Sequence, residues 1–376
     1  ADRQKMSKTK GNVIDPVSIV EKYGTDAVRF TLASMASPGT DIAFSEGRTE
    51  GYRAFANKIW NAARFIFMNI DRAREAGIVM DPSVLGQMPS LETEAPLEAR
   101  WIVARLNSVA AAINAALADY RFDEAASLVY QFFWGDFCDW YLEIVKLRLD
   151  FSEPADKATA NTALTTLLQV FESALRLLSP FMPFLTEELW HALHEGEPPA
   201  KSIALTCYPL GEHNTDAVAE VDFALLQDLI VSVRALRKDL GVEEKAIVPI
   251  HIRAADHWGV FEDNLGIIQR LARVSSVESI DAMPEGAVIR STPQFDVQVL
   301  YEKTIDVAAE RERLTRELAR LQKALASAAN QLSNPSFLDK APAHIVEGLR
   351  KAEAENRQLI EKTRKALDDL GPEGAH

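Results

Sequence analysis

Between about Gly51 and Leu193, apolar residues recur three and four positions apart, the spacing of a helix with one buried face. The pattern predicts helices over 51–75, 97–119, 123–149, 160–178 and 183–194. In the second, Trp101, Ala104, Leu106, Val109 and Ile113 make one stripe, while the third carries Leu128, Phe132, Phe133 and Trp140. Such segments in succession read as an antiparallel helical bundle. The join over 76–96, rich in prolines and acids, is a surface connection. Ahead of the bundle, Asp15-Pro16 supplies a capping side chain with proline at the first helical position. That helix ends at Gly24, and Thr25 caps a second one stopped by Pro38-Gly39.

Near Lys201 the period changes. SIALTCYPL, AIVPIHIRA, AVIRS and FDVQVLY predict strands, and 221–240 and about 258–272 predict helices, giving a small mixed α/β unit. The tail changes again, to heptads. Val307, Arg311, Leu314, Leu318, Leu321, Leu325, Ala328 and Leu332 follow alternating steps of four and three. After SNPSFLDKAP a second seam runs through Ile345, Leu349, Ala352, Asn356, Leu359, Thr363, Ala366 and Leu370. Two such helices joined by a proline-containing turn fold back as an antiparallel coiled-coil hairpin, roughly 39 Å long at ~1.5 Å per residue. The fold class predicted is mainly α, a helical bundle followed by a small α/β unit and the hairpin. Its segments are 1–50, 51–200, 201–303 and 304–376.

A chain of 376 residues, 47% hydrophobic and 26% charged, suffices for two or three folded units. No run of about 18 uninterrupted apolar residues and no signal pattern appears, so a cytoplasmic protein without a membrane span is expected. The two cysteines, Cys138 and Cys207, cannot build a disulfide framework or a CxxC zinc knuckle, and both read as core thiols. A net charge of -14 weighs against a nucleic-acid partner. The distribution qualifies this, because residues 302–370 hold 13 basic against 12 acidic side chains, leaving a near-neutral tail on an acidic body.

The sharpest local feature is KMSKTKGN at Lys5–Asn12. Two lysines three apart flank a serine, and Gly11 permits a sharp turn. Mobile ammonium groups so placed suit a polyphosphate whose charge grows as pyrophosphate leaves. Taken alone, a lysine-rich segment near a terminus is more often merely solvated. The neighbouring runs shift that balance. KMSKTKGNVIDP, EKYGTDAVRFTLASMASPGTDIAFSE and GYRAFANKIWNAARF resemble the segment bearing the KMSKS signature in the class I aminoacyl-tRNA synthetases for valine, isoleucine and leucine. FCDWYLE at Phe137–Glu143 and LLSPFMPFLTEELW at Leu177–Trp190 resemble the same group. LSNPSFLDKAP at Leu332–Pro342 resembles the tail hairpin of the valine enzymes in particular.

The resemblance implies a bundle of the class Ia anticodon-binding type in the C-terminal, tRNA-binding part of a valine-tRNA ligase. It implies that Lys8 contacts the ATP phosphates, Lys5 assists, and Ser7 and Thr9 shape the loop, with ATP and Mg2+ used by the full-length enzyme and none held by this part. Thr9 replaces the usual serine but keeps the hydroxyl. The bundle would receive the anticodon stem and loop of tRNA(Val), which calls for cations along a backbone path. Arg53, Lys58, Arg64, Lys146 and Arg148 are the candidates there, and Arg316, Arg320, Arg357 and Arg364 on the arm, where phosphate contacts would add affinity without reading sequence. Helix faces carry such residues for solubility too, and Phe132, Phe133, Trp134 and Trp140 match the buried face. His191 and His194 share a helix face but lack a third ligand nearby, so no metal site is expected.

The alternatives are an isoleucine-tRNA ligase, which commonly ends in a cysteine-rich zinc module that two isolated cysteines cannot build, and a stand-alone tRNA-binding module. The chain is expected to be a monomer that binds tRNA but, without a catalytic core and editing domain before Lys5, needs that missing part for valine and ATP. Incubated alone with tRNA, valine and ATP it should form no valyl-tRNA; detectable product would contradict this.

Overall fold

The structure is a computed structural model that describes residues 5–78, 81–90, 94–152, 156–211, 216–254, 256–284, 286–301, 307–333 and 343–369; the side chains at 8, 307–310, 313, 343–345, 366, 368 and 369 are not described. The Lys8 side chain, the break over 334–342, Leu370 and the seam side chains of Val307, Ile345 and Ala366 thus fall outside the described residues. The chain divides into two compact units, 1–301 and 302–376.

Asp15 caps α1 (Pro16–Tyr23), its carboxylate accepting from the Val17 amide at 3.1 Å, and Gly24 ends the helix at φ 90. Thr25 lies inside α2 (Thr25–Ser34) rather than capping it, because Gly24 already holds the cap position. Asp26 in the first turn of α2 reaches instead to the start of another helix, α8 (Pro183–Leu193). It accepts from the amides of Leu185 at 2.6 Å and Phe184 at 3.3 Å, while Arg29 donates to the Pro180 carbonyl at 3.1 Å. Burial outweighs those bonds and raises the Asp26 carboxyl above its ordinary pKa.

The bundle contains α3 (Glu46–Glu75), capped by Ser45, α4 (Leu97–Ala118), α5 (Phe122–Gln131), α7 (Lys157–Leu178), capped by Asp156, and α8. The segment predicted as one helix over 123–149 departs from α geometry. After α5 it widens into a π-helix (Phe132–Tyr141) and closes again in α6 (Leu142–Val145). Phe132, Phe133, Phe137 and Tyr141 are all buried there; Phe137 stacks on Phe171 of α7 at 5.8 Å, and Phe133 meets the same ring edge-on at 6.3 Å. A wider turn gives four bulky rings room in one core, where an α-helix would crowd them.

One charged pair is buried in the last two turns of α7. Glu172 and Arg176 are 1% and 3% exposed and bond at 3.0 Å. Trp190 of α8 donates to Glu172 at 3.1 Å, and Arg176 donates to the Cys207 carbonyl at 2.8 Å and to Ser173 at 3.4 Å. That carbonyl belongs to SIALTCYPL, which is no strand. After a 3-10 turn at Ile203–Leu205 capped by Ser202, it crosses the bundle as an extended strap. Its polar groups pair with helices instead of a neighbouring strand: Tyr208 donates to the Leu177 carbonyl at 2.9 Å and Asn114 to the Pro209 carbonyl at 2.8 Å. At Gly211 the strap lies so close to Asn107 and Ala111 that any Cβ would collide with their backbone. The strap also leaves Cys207 exposed, so it is not a core thiol, whereas Cys138 is buried.

Beyond the strap, α9 (Ala217–Asp239) packs along α4, with Phe223 stacked on Trp101 at 3.8 Å. AIVPIHIRA, AVIRS and FDVQVLY yield β1 (Val248–Arg253), β3 (Ile289–Ser291) and β4 (Asp296–Val299). The helical stretch near 258–272 is two pieces, α10 (Trp258–Glu262) and α11 (Leu265–Ala272), split where Asn264 turns back to bond the Val260 carbonyl at 2.8 Å. A further strand, β2 (Val274–Ser279), escapes the sequence pattern because VSSVES buries only Val274. The order is β2-β1-β4-β3, with β2 parallel to β1 and the other pairs antiparallel. Phe30 and Val299 belong to one continuous core, so sheet and bundle share an interior.

The second unit contains α12 (Val307–Leu332) and α13 (Ala343–Asp369), packed side by side. Ten linking residues reach ~40 Å only when fully extended, all of the ~40 Å a helix of this length spans, whereas an antiparallel pair asks for only a short turn. Leu314, Leu321 and Ala328 are buried as the heptads require. On α13 the seam is rotated by one position, with Ile360 buried and Leu359 46% exposed. Glu353, Asn356, Ile360, Thr363 and Leu367 keep the three-four step, and the β-branched Ile360 fills the seam where Leu359 was expected.

Two measurements check this packing. Arg176→Leu strips Glu172 of its partner and should cost about 3–5 kcal/mol in urea unfolding; a loss under ~1 kcal/mol would contradict the buried pair. Burial pushes the Cys138 thiol up to about 12, so a maleimide should label Cys207 alone in the native chain and both cysteines after denaturation.

Candidate nucleic-acid interface

The lysine segment is closed on itself by Asn12. Its side-chain carbonyl accepts from the Ser7 amide at 2.8 Å and its amide donates to the Lys5 carbonyl at 3.3 Å. Ser7 and Thr9 hydroxyls bond at 2.9 Å, and the Lys10 amide donates to the Ser7 hydroxyl at 3.2 Å. Residues 8–10 form a 3-10 turn and Gly11 follows at φ 66. The hydroxyl residues and Asn12 therefore set the backbone, while Lys5 and Lys10 face solvent. Asn12 went unnominated in the sequence; its place just past Gly11 was the available signal.

The candidate cations of the bundle divide by environment. Lys58 and Lys146 come together along the border where α3 meets the π-helix and α6. The Lys58 ammonium lies 4.1 Å from the centre of the Trp134 ring and pairs with Asp139. Lys146 lies 5.4 Å from the ring of Phe65 and 2.5 Å from Glu143. Phe65 is seven residues beyond Lys58, so the two share a face of α3. Each ammonium is held against a flat aromatic surface, which leaves cation and ring presented together. Trp134 and Trp140 are half-buried, not core like Phe132 and Phe133.

Arg64 lies on the solvent stripe of α3. With it stand Asn57, Asn61, Trp60 at 44% exposure and Met68 at 51%. Trp60 was also unnominated; it is out of register with buried Phe55, Ile59, Ala63 and Ile66, a signal present in the sequence. Arg53 turns toward α1 and donates to the Lys22 carbonyl at 3.2 Å. Arg148 bonds Glu98, itself 2% exposed, at 2.7 Å, and this bond raises the guanidinium's proton affinity. An arginine so engaged supports the bundle. His191 bonds Glu187 at 3.0 Å and His194 lies edge-on to Trp190 at 4.9 Å, where burial lowers its pKa. Among the described residues no cluster of three His, Cys, Asp or Glu could hold a metal ion.

On the arm, Arg316 and Arg357 pair with Glu312 and Glu353 one turn away, at 3.4 and 2.7 Å, while Arg320 and Arg364 are exposed. Exposed pairs of this kind are weak and exchange readily with another anion.

Family comparisons give the class, since three segments of the chain each match part of the class I tRNA ligases. Residues 99–252 match the model of the anticodon-binding domain of tRNA ligase, 306–371 that of the valyl tRNA synthetase tRNA binding arm, and 1–45 that of tRNA synthetases class I (I, L, M and V). Over nearly its whole length the chain is homologous to valine–tRNA ligases. It is 42% identical to that of Solibacter usitatus over 93% of this chain and 38% of the relative. For Aquifex aeolicus the figures are 36%, 98% and 31%, and for Syntrophotalea carbinolica 38%, 98% and 40%. The chain thus spans about two fifths or less of these relatives' length. A solved chain from the ternary complex of Agrobacterium radiobacter K84 LeuRS, tRNA and LeuAMS is 22% identical over 56% of this chain and 23% of its own, but its TM-score of 0.36 is too low to bear on the fold.

Proposed function

We propose that this chain is the tRNA-gripping part of a valine–tRNA ligase, which activates valine with ATP and Mg2+ and attaches it to tRNA(Val). The observation that carries the proposal is the pairing of Lys58 with Trp134 and of Lys146 with Phe65 along one border of the bundle. Phosphodiester oxygens take the ammonium groups, and the backbone of an anticodon stem and loop offers them in succession. Arg64 and Trp60 extend that surface along α3. Arg316, Arg320, Arg357 and Arg364 on the hairpin meet phosphates elsewhere on the tRNA, adding affinity without sequence choice. Arg53 and Arg148 act through the scaffold. Lys5 and Lys8 serve the ATP phosphates, on a loop whose backbone is set by Ser7, Thr9 and Asn12.

Valine as the amino acid follows from the relatives' names and from the matched arm, which disfavours an isoleucine enzyme. On this reading the chain works as a monomer in the cytoplasm. The one described helix long and apolar enough to cross a membrane is α4, and its Trp101, Leu106 and Ile113 are buried in the bundle.

Fluorescence anisotropy with labelled tRNA across a potassium chloride series tests the reading. Affinity should fall steeply with salt. Lys58→Ala and Lys146→Ala should each weaken binding several-fold and flatten the log-log slope by about 0.7–0.9, one phosphate contact apiece. Salt-insensitive binding, or two variants that bind as the parent does, would sink the proposal.

A further inference from the structure

Three arginines converge where α9 meets the C-terminus of α11, and none was suggested by a motif. Arg234 donates to the Leu271 carbonyl at 2.9 Å and lies 5.6 Å from the ring of Trp140 in the π-helix. Arg237, 7% exposed, donates to the carbonyls of Arg273 at 2.9 Å, Ala246 at 2.7 Å and Glu243 at 3.3 Å. Arg273 donates to the Glu244 carbonyl and stands 4.0 Å from the Glu244 carboxylate, which is 93% exposed and so screens little. Among the described residues, Arg234 and Arg237 form no ion pair. Glu143 is the carboxylate acting on Arg234, and it is already paired with Lys146.

Like charges gathered this way repel. Burial, then the charge of Arg273, lowers the proton affinity of both Arg234 and Arg237. The backbone is held in an unfavourable state as well: Arg273 closes α11 at φ 54, ψ 57, a left-handed position that glycine takes without strain. Arg237 accounts for itself by bonding three carbonyls. Arg234 and Arg273 use only one carbonyl each, keep N–H groups free for another acceptor, and are exposed. In a body this acidic, a locally uncompensated cationic cluster marks a place for an anion.

We propose that Arg234 and Arg273 form a phosphate-contact site for the backbone of bound RNA, extending the interface off the helical bundle and onto the α/β part of the same unit. Continuity selects RNA over a free anion. Lys146 pairs with Glu143, Glu143 acts on Arg234, and Arg234 covers Trp140, six residues on from Trp134 in the same π-helix; α11 also packs on α6. Cations and half-buried rings thereby follow one another from α3 to the end of α11, as a backbone-tracking groove requires. The inference rests on the tRNA-binding reading above.

The test uses the full chain and labelled tRNA, with the salt dependence measured for Arg234→Gln, Arg273→Gln and the double variant. Arg290→Gln, on β3 at the opposite edge of the sheet, serves as the charge control. Each single variant should bind several-fold more weakly, and the double variant should show a salt slope shallower by about 1.4–1.8, with the control unchanged. Arg273→Gly separates ligand contact from folding, since glycine suits the left-handed position: binding should weaken while the melting temperature holds or rises. Unchanged affinity and slope in the double variant, alongside weakened Lys58→Ala, would overturn this site and leave the tRNA reading standing. Parent binding without salt dependence would overturn both. An equal loss in Arg290→Gln would reduce the effect to net charge and also overturn the site.

Discussion

Arg176 and Glu172 are buried together inside α7, and stripping water from two such ions costs several kcal/mol apiece unless every polar atom finds a partner. Here the partners come from three places: the carboxylate takes the Trp190 indole of α8, and the guanidinium takes Ser173 and the Cys207 carbonyl of the strap. The pair therefore fixes where α8 sits and where the chain leaves the bundle toward α9. Glu98 with Arg148, and Asp26 with the amides of α8, do similar work between segments far apart in sequence. Apolar packing alone tolerates helices sliding past one another; directional charged bonds select one register.

That scaffold determines the surface proposed to meet tRNA. With Phe132, Phe133, Phe137 and Tyr141 committed to the core, the widened π-helix turns Trp134, Asp139 and Trp140 toward the rim, where cations from α3 and α9 settle against them. A net charge of -14 is compatible with this, because polyanion binding depends on charge within a few ångströms of the phosphates more than on the total.

Helices, heptads and most strands were legible because each buries one face at a fixed period. The failures have physical causes. SIALTCYPL has a strand's composition, yet its Cys207 and Pro209 carbonyls accept from Arg176 and Asn114 and its Tyr208 hydroxyl donates to the Leu177 carbonyl, contacts that no local pattern encodes. VSSVES buries too little to alternate, and Leu359 beside Ile360 left the α13 seam ambiguous by one position until packing chose between them. At the candidate interface, residue type picked Lys58 and Lys146 but also picked Arg148, which faces the buried Glu98. Composition marks a cation as available, and only tertiary structure shows whether the carboxylate beside it is buried, as Glu98 is, or exposed, as Asp139 and Glu143 are.

The α3 and π-helix surface, and not the hairpin alone, is proposed to grip tRNA. Hydroxyl-radical footprinting of side chains, read by mass spectrometry with and without saturating tRNA, tests it directly. Trp60, Met68 and Trp134 should lose reactivity in the complex. Unchanged reactivity at all three while tRNA is bound would contradict the proposal.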